Sequence, residues 1–337
     1  MSFKVHIKPG NREMEIHSHE SFLEAALNAA LPVNYGCSNG NCGKCQAQLI
    51  SGEIAQLHHS DFVFPVAEKS AGGFLMCCTT AASDCEIETR LASGSNEIEQ
   101  QDIVVKVRAL ESLNEDLMLL KVQTPRTRRL RFLAGQSAQL SLGDDSCTLP
   151  IASCPCDDRN LQFHVPSDSK RCRTSEVLRK LRPGAMLNLK GPSGDFVLDA
   201  DSNRPRIMIG TGLGLAPIKS IIEHSLALAP DCLVTLLLME TADRPYPLNN
   251  IFRSWRDAFD SFDCQWLSVE TDNLFDAITN PLDDILTSIE GDSESDIYVA
   301  GPHALIDTVT EVLTHRSIDL MHLRTGLFDE LIQLRQV

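Results

Sequence analysis

The stretch Tyr35-Gly36-Cys37-Ser38-Asn39-Gly40-Asn41-Cys42-Gly43-Lys44-Cys45, with Phe74-Leu75-Met76-Cys77 further on, decides how the rest of the chain is read. Three cysteines are separated by four and two intervening residues, and a fourth follows after 31 more. Four thiolates in this order suit two irons bridged by two sulfides. Gly36, Gly40 and Gly43 let the loop wrap tightly and aim backbone N–H groups at sulfur, which stabilises the reduced, more negative cluster. A four-cysteine zinc site is the alternative, but such sites usually come as two short Cys-x-x-Cys pairs. Cys78 competes with Cys77 for the fourth position. Cys85 reads as a packed thiol, and His58 and His59 as solvated side chains of a polar loop.

Working outward, 337 residues predict two to three domains with real cores. The composition, 43% apolar and 23% charged, is that of a globular protein and not a disordered one. A net charge of −16 argues against nucleic-acid binding and against adhesion to anionic membranes. It suits a small-molecule enzyme, or a protein that docks on a basic partner. The longest uncharged apolar stretches, such as Cys232 to Met239, are about half of the roughly 20 residues that span a bilayer. The N-terminus alternates like a strand and lacks the apolar core of a signal peptide, so the expected location is cytoplasmic. There, twelve cysteines are not a disulfide framework.

The patterning divides the chain. Residues 1–90 hold six of the twelve cysteines and read as short strands around one helix, Ser21 to Ala30, with Ser21 as N-cap. Residues 91–102 (LASGSNEIEQQD) are polar and read as a linker. Residues 103–203 carry short alternating runs (IVVKVRAL, LMLLKV, SAQLSL, LQFHV, MLNLK, DFVL) between Gly, Pro and Asp turns. They predict an antiparallel barrel with one helix near Ser175–Leu181. Residues 204–337 alternate apolar strands (RIMIG, LVTLLLM, CQWLSV, DIYVAG) with helical stretches, the pattern of a doubly wound parallel sheet.

Residues 1–90 resemble a plant-type ferredoxin of the β-grasp fold. The whole chain resembles the electron-transfer reductase subunit of multicomponent oxygenases, in which such a ferredoxin is fused to a ferredoxin–NADP reductase-like flavin and nicotinamide module. Deoxysugar reductases share the layout. The resemblance implies an NAD(P)H-dependent iron–sulfur flavoprotein reductase. Its cluster ligands would be Cys37, Cys42, Cys45 and Cys77, and its flavin FAD in preference to FMN. Its partners would be NAD(P)H and a protein electron acceptor such as an oxygenase component.

The nicotinamide loop of that family is matched by Gly210-Thr211-Gly212-Leu213-Gly214-Leu215-Ala216-Pro217. Its glycines would let backbone approach a pyrophosphate, the helix after Gly214 would offer N–H groups, and Pro217 needs none in a first turn. Gly301-Pro302 matches a second family motif, with Ala300 where the family has cysteine. Met239-Glu240-Thr241 replaces the family's Gly-x-Arg, and Glu240 disfavours a 2′-phosphate, which favours NADH over NADPH.

The flavin signature Arg-x-Tyr-Ser-Ile-Ala-Ser reads Cys147-Thr148-Leu149-Pro150-Ile151-Ala152-Ser153 here. Ile151, Ala152 and Ser153 match. The phosphate-binding cation, the stacking ring and the hydroxyl are replaced by Cys147, Leu149 and Pro150. The second flavin signature falls on Arg171–Ser175 without its glycine, with Arg171 and Arg173 as a replacement clamp or as surface charges. Gly191-Pro192-Ser193-Gly194-Asp195-Phe196 matches an architectural turn. Cys147, Cys154, Cys156 and Cys172 gather in the barrel, although Cys-Pro-Cys is a poor chelate. A second reading follows: a flavin-free ferredoxin-type carrier whose reductase-like half docks or regulates.

Overall fold

The computed structural model describes residues 2–9, 12–29, 31–92, 94–115, 117–126, 128–166, 178, 181–240, 246–268, 274–288 and 294–328. Three sheets follow one another along it. In β1 (Ser2–Lys8) and β2 (Arg12–His17) alternate residues are buried, among them Val5, Ile7, Met14 and Ile16. The two strands pair antiparallel, and β1 pairs in parallel with β7 (Cys85–Glu88). With β3 (Gln46–Ser51) and β5 (Gly73–Leu75) they form a five-stranded sheet in the order β2-β1-β7-β3-β5, beside a small pair of β4 (Ile54–Gln56) and β6 (Thr79–Ala81).

Helix α1 (Phe22–Asn28) lies across this sheet. Seven residues are too few for a helix to persist alone in water. Two things hold it. Ser21 Oγ accepts from the Glu24 N–H at 3.2 Å while the Glu24 carboxylate accepts from the Ser21 N–H at 2.9 Å, a reciprocal cap. Phe22 and Leu23 are buried, each contributing about 1.5–3 kcal/mol. The short helix α2 (Val66–Ser70) precedes β5.

The second sheet contains β8 (Gln101–Ser112), β9 (Leu117–Gln123), β10 (Ser137–Leu142), β11 (Asp145–Pro150), β12 (Asn160–Pro166) and β13 (Met186–Ser193). Its order is β11-β10-β13-β8-β9-β12, antiparallel throughout, and an Ile151–Phe163 bridge brings its two edges together. The third is wholly parallel, ordered β16-β15-β14-β17-β18 from β14 (Arg206–Thr211), β15 (Val234–Glu240), β16 (Phe262–Ser268), β17 (Asp296–Gly301) and β18 (Leu323–Leu327). All six residues of β14 and of β17 are buried, as expected of strands covered on both faces. The covering helices are α3 (Leu215–Leu228), α4 (Asn249–Ala258), α5 (Leu274–Ser288) and α6 (His303–His315).

One sequence expectation is corrected. Asp195–Leu198 is not a strand, because β13 stops at Ser193 and the following residues leave the barrel. Phe196 and Leu198 are apolar because they pack into the nicotinamide half, together with Met208 and Tyr298. Within residues 91–102, Leu91 bridges to Val33, Ser95–Glu97 form a turn, and β8 begins at Gln101. Of the expected helix near Ser175–Leu181, only Leu178 and Leu181 fall within the described residues.

Two buried histidines sit where the barrel meets the parallel sheet. Burial, helped by Lys219, pushes His164 down to about 3, and burial with Arg206 pushes His224 down to about 4. Both are neutral in the folded chain and gain protons on unfolding below about pH 6.5. Stability should therefore fall with pH, by about 1.3 kcal/mol per histidine between about pH 7.5 and about pH 5.5. Urea midpoints of the wild type and of His164→Gln and His224→Gln read this. Each variant should show a shallower pH dependence, and parallel slopes would contradict the assignment.

Candidate functional site

The cysteine loop spans residues 36–45, between α1 and β3. Its sulfurs fall into two pairs. The N–H of Cys37 donates to Cys42 Sγ at 3.4 Å, and the N–H of Cys42 donates to Cys37 Sγ at 3.3 Å. Cys45 Sγ lies 3.2 Å from Cys77 Sγ. Further N–H groups, from Asn41 and Lys44, point at Cys37 and Cys42 at 3.4 and 3.5 Å. Among the described residues no three His, Cys, Asp or Glu side chains converge as the ligands of a single ion would. Two sulfur pairs wrapped in N–H donors suit a two-iron cluster instead.

The loop's shape follows from its small residues. Gly43 has φ +71°, and a Cβ there would stand 2.2 Å from the Phe62 ring. Ser38 turns the chain with φ 56°, a left-handed conformation that costs a non-glycine residue roughly 1–2 kcal/mol. The thiols respond to this packing. Burial works to raise Cys37, but the N–H groups of Asn39, Cys42 and Asn41 and the Cys42 thiol outweigh it, leaving Cys37 below its ordinary value. Cys77 is held at about 6, first by the hydrogen bond from Cys45, which is itself pushed up by sharing that proton. Cys78 is adjacent to Cys77, with its sulfur 3.6 Å from Cys77 Sγ and turned toward the His59 carbonyl. Burial raises Cys78 to about 12 and Cys85 to about 11.

A cleft of about 690 Å³ opens beside Cys37 and Cys42. Lys44, Arg90, Arg128 and Arg131 line it together with Glu97 and Glu99, so the chain's acidity does not extend evenly to this rim. Just before the loop, Tyr35 OH donates to Asp158 Oδ2 at 2.6 Å, and Arg129 pairs with the same carboxylate at 3.2 Å. Burial raises the Asp158 carboxyl, against the opposing effects of Tyr35 and Arg129, and burial raises the Tyr35 hydroxyl well above its ordinary value. Arg131 Nη1 also donates to Asn34 Oδ1 at 2.8 Å. The sequence reading missed this tie, although Tyr35 stands inside the motif that was quoted.

The Gly210–Pro217 loop, expected to take the nicotinamide coenzyme, runs from the end of β14 into α3. Gly210, Thr211, Gly214, Ala216 and Pro217 are buried, and Gly212 is partly exposed. A Cβ on Gly214 would lie 2.1 Å from the Ala300 carbonyl oxygen. This glycine is required by the packing of the loop on β17, not only by a ligand's approach. Thr211 Oγ1 donates to the Met239 carbonyl at 2.9 Å, and a Cβ on Gly301 would meet Thr211 and Leu305. Gly301 and Pro302 thus lie against the loop, with Phe328 donating its N–H to the Gly301 carbonyl at 2.9 Å. Glu240 ends β15, its carboxylate accepting from the Tyr246 N–H at 2.9 Å and from Asn249 at 3.0 Å.

Ile151, Ala152 and Ser153 form a seam between the barrel and α3. Lys219, almost fully buried, donates to the Ala152 carbonyl at 3.0 Å, and Ser220 donates to the Ser153 carbonyl at 2.7 Å. Leu149 packs in the barrel core with Cys147 against it, and Pro150 is buried. These three side chains supply no cation, ring or hydroxyl to a flavin, so the family's contacts at this strand end are not reproduced. The seam does hold one orphan: His164 Nε2 is buried without a hydrogen-bond partner among the described residues. Arg171, Cys172, Arg173 and the second flavin signature lie outside the described residues.

Residues 5–82 match the 2Fe-2S iron-sulfur cluster binding domain, and residues 208–311 match the oxidoreductase NAD-binding domain. The chain is 30% identical over 224 residues to CDP-6-deoxy-L-threo-D-glycero-4-hexulose-3-dehydrase reductase of Yersinia pestis, covering 66% of this chain and 67% of that one. The chain belongs to the ferredoxin-fused electron-transfer reductases. It is an NAD(P)H-dependent oxidoreductase, and the comparisons support a [2Fe–2S] cluster, a flavin (FAD) and NAD(P)H as its cofactors. The propane 2-monooxygenase reductase component of Gordonia sp. (strain TY-5) is 27% identical, with 94% of each chain covered. The ferredoxin reductase in carbazole 1,9a-dioxygenase shares the fold at TM-score 0.59 and 21% identity, with 97% of this chain and 99% of that one covered. No helix among the described residues is long and apolar enough to cross a membrane.

Tyr35→Phe removes the donor from a buried carboxylate and should cost about 1–3 kcal/mol of holoprotein stability. The check is a urea titration followed by cluster absorbance. An unchanged midpoint would show that the Tyr35–Asp158 bond does not hold the loop in place.

Proposed function

We propose that NADH binds along Gly210–Pro217 against Gly301 and Pro302, and that its electrons leave through a [2Fe–2S] cluster held by Cys37, Cys42, Cys45 and Cys77. The acceptor is a protein, of the kind an oxygenase component represents, and the reaction takes place in the cytoplasm. The observation that carries this reading is the pairing of Cys37 with Cys42, with N–H donors at both sulfurs, beside the pair of Cys45 and Cys77. Hydride brings two electrons and the cluster takes one at a time. A flavin when bound supplies that conversion. The chain's own residues present the nicotinamide loop, exclude water around it and hold the sulfurs.

The domains proposed on this reading are the ferredoxin at 1–90, the barrel at 103–203 and the nicotinamide domain at 204–337, with 91–102 joining the first two. Glu240 stands at the end of β15, where a negative charge repels a 2′-phosphate. One observation favours the flavin-free carrier: Cys147, Leu149 and Pro150 are turned into the barrel or buried. On that reading NADH leaves the cluster oxidised.

Cys77→Ser should abolish the cluster's visible absorbance and NADH-driven reduction of a one-electron acceptor, while Cys78→Ser should keep both. The reverse result would move the fourth ligand to Cys78. The kcat/KM ratio of NADH to NADPH should exceed one. Glu240→Gln should lower that ratio by about fivefold, the effect of roughly 1 kcal/mol of charge repulsion. A ratio unaffected by the substitution would separate Glu240 from coenzyme choice.

A further inference from the structure

Beyond the Ile151-Ala152-Ser153 strand end, Cys154-Pro155-Cys156 leads into a short turn, and its two sulfurs are joined in a disulfide. The bond closes a loop of only three residues, where the constraint on the unfolded chain is smallest, so it is a poor staple. Cys78, Cys85, Cys232 and Cys264, which the cluster does not use, form no disulfide. A short-range disulfide among so many thiols has the character of a redox group and not of a framework.

Its position is unusual for a surface turn. Residues Pro155–Asp157 pack between α1 of the ferredoxin module and α3 of the nicotinamide module. The Cys154 N–H donates to Glu223 Oε2 at 3.0 Å, and Asp158, the partner of Tyr35, follows two residues after Cys156. The two sulfurs are unequal. Cys154 is buried, with His224 Nδ1 3.6 Å from its sulfur and the Cys156 N–H donating to it at 3.3 Å. Cys156 is half-buried and lines a small cavity together with Tyr35, Arg131 and His224. Thiol–disulfide exchange needs an accessible sulfur to attack and a stabilised thiolate to leave. Cys156 is the more exposed of the two residues, and the Cys156 N–H at Cys154 Sγ favours a thiolate there.

We propose that Cys154–Cys156 is a thiol–disulfide exchange site that sets how firmly the ferredoxin module is seated on the reductase half. The reductant is a dithiol, either a small molecule or a redox protein. One of its thiolates bonds to Cys156 Sγ, the Cys154–Cys156 bond breaks, and Cys154 leaves as a thiolate beside His224. The second thiol of the reductant then attacks the mixed disulfide and releases Cys156. The reductant departs as a disulfide, and the chain has gained two electrons and two protons as two thiols. With the bond open, the turn packed between α1 and α3 loses its internal cross-link, Asp158 is held less firmly under Tyr35, and delivery of electrons to the cluster slows. This consequence rests on the electron-transfer reading above.

The test takes oxidised holoprotein, incubates it with or without dithiothreitol, blocks thiols with iodoacetamide and weighs the peptides. Cys154 and Cys156 should both be unlabelled before the reductant and both labelled after it, at unchanged cluster absorbance. NADH-driven reduction of cytochrome c should fall by about fivefold or more in the reduced protein, the lower end of ordinary coupling between sites. NADH-driven ferricyanide reduction should hold steady, and Cys156→Ser should show the reduced-state rate with or without dithiothreitol. Labelled cysteines in the untreated protein, a bond that resists dithiothreitol, or equal cytochrome c rates in the two states would overturn the proposal. Absence of both NADH activities in the untreated protein would instead overturn the electron-transfer reading, and the labelling result would then decide the exchange site by itself.

Discussion

The hydrogen bond from Tyr35 to Asp158 is buried, and the placement of the cluster loop against the reductase half depends on it. A centre that takes single electrons is useful only if it is held still relative to its donor, and a loop of glycines and small residues is not held by its own packing. Tyr35 stands two residues before Cys37, and Asp158 stands at the end of the turn that leaves the barrel seam. One bond therefore joins the most permissive backbone in the ferredoxin module to a fixed point in the barrel. Arg129 on the same carboxylate, and Arg131 on Asn34, extend the join to the strand connection after β9.

The same seam links the barrel to the nicotinamide sheet. Lys219 and Ser220 of α3 take the carbonyls of Ala152 and Ser153, and Glu223 takes the Cys154 N–H. Helix α3 begins at the nicotinamide loop, so its position is set from both sides. It is held by the strand ends of its own sheet and by the barrel's edge. A buried lysine is tolerable here because the carbonyl and the Glu223 carboxylate, 2.6 Å away, satisfy its charge.

Much of this was legible in the sequence, for physical reasons. The 2Fe-2S domain could be read because the spacing of metal-binding sulfurs is local and few residue types can replace them. The parallel sheet could be read because strands buried on both faces, such as Arg206–Thr211 and Asp296–Gly301, leave unbroken apolar runs. Asp195–Leu198 was misread because its apolar residues serve a neighbouring core, and periodicity does not say which core a residue enters. Glycines at 210 and 214 announced a tight turn between β14 and α3, but part of their purpose is close packing against Ile218 and Ala300, which only the fold reveals. The Tyr35–Asp158 bond spans 123 positions and has no signature in either segment. The flavin end of the barrel is where the pattern and the family diverge, since Leu149 and Pro150 fill space without offering a polar group.

Electrons from a nicotinamide reach the iron–sulfur cluster through this chain. The most direct measurement is the visible spectrum of the purified holoprotein, taken anaerobically before and after NADH. The account predicts that the cluster's absorbance bleaches on adding NADH and returns on adding an oxidised protein acceptor. A cluster that bleaches with dithionite but stays oxidised with NADH, even after FAD or FMN is supplied, would contradict it.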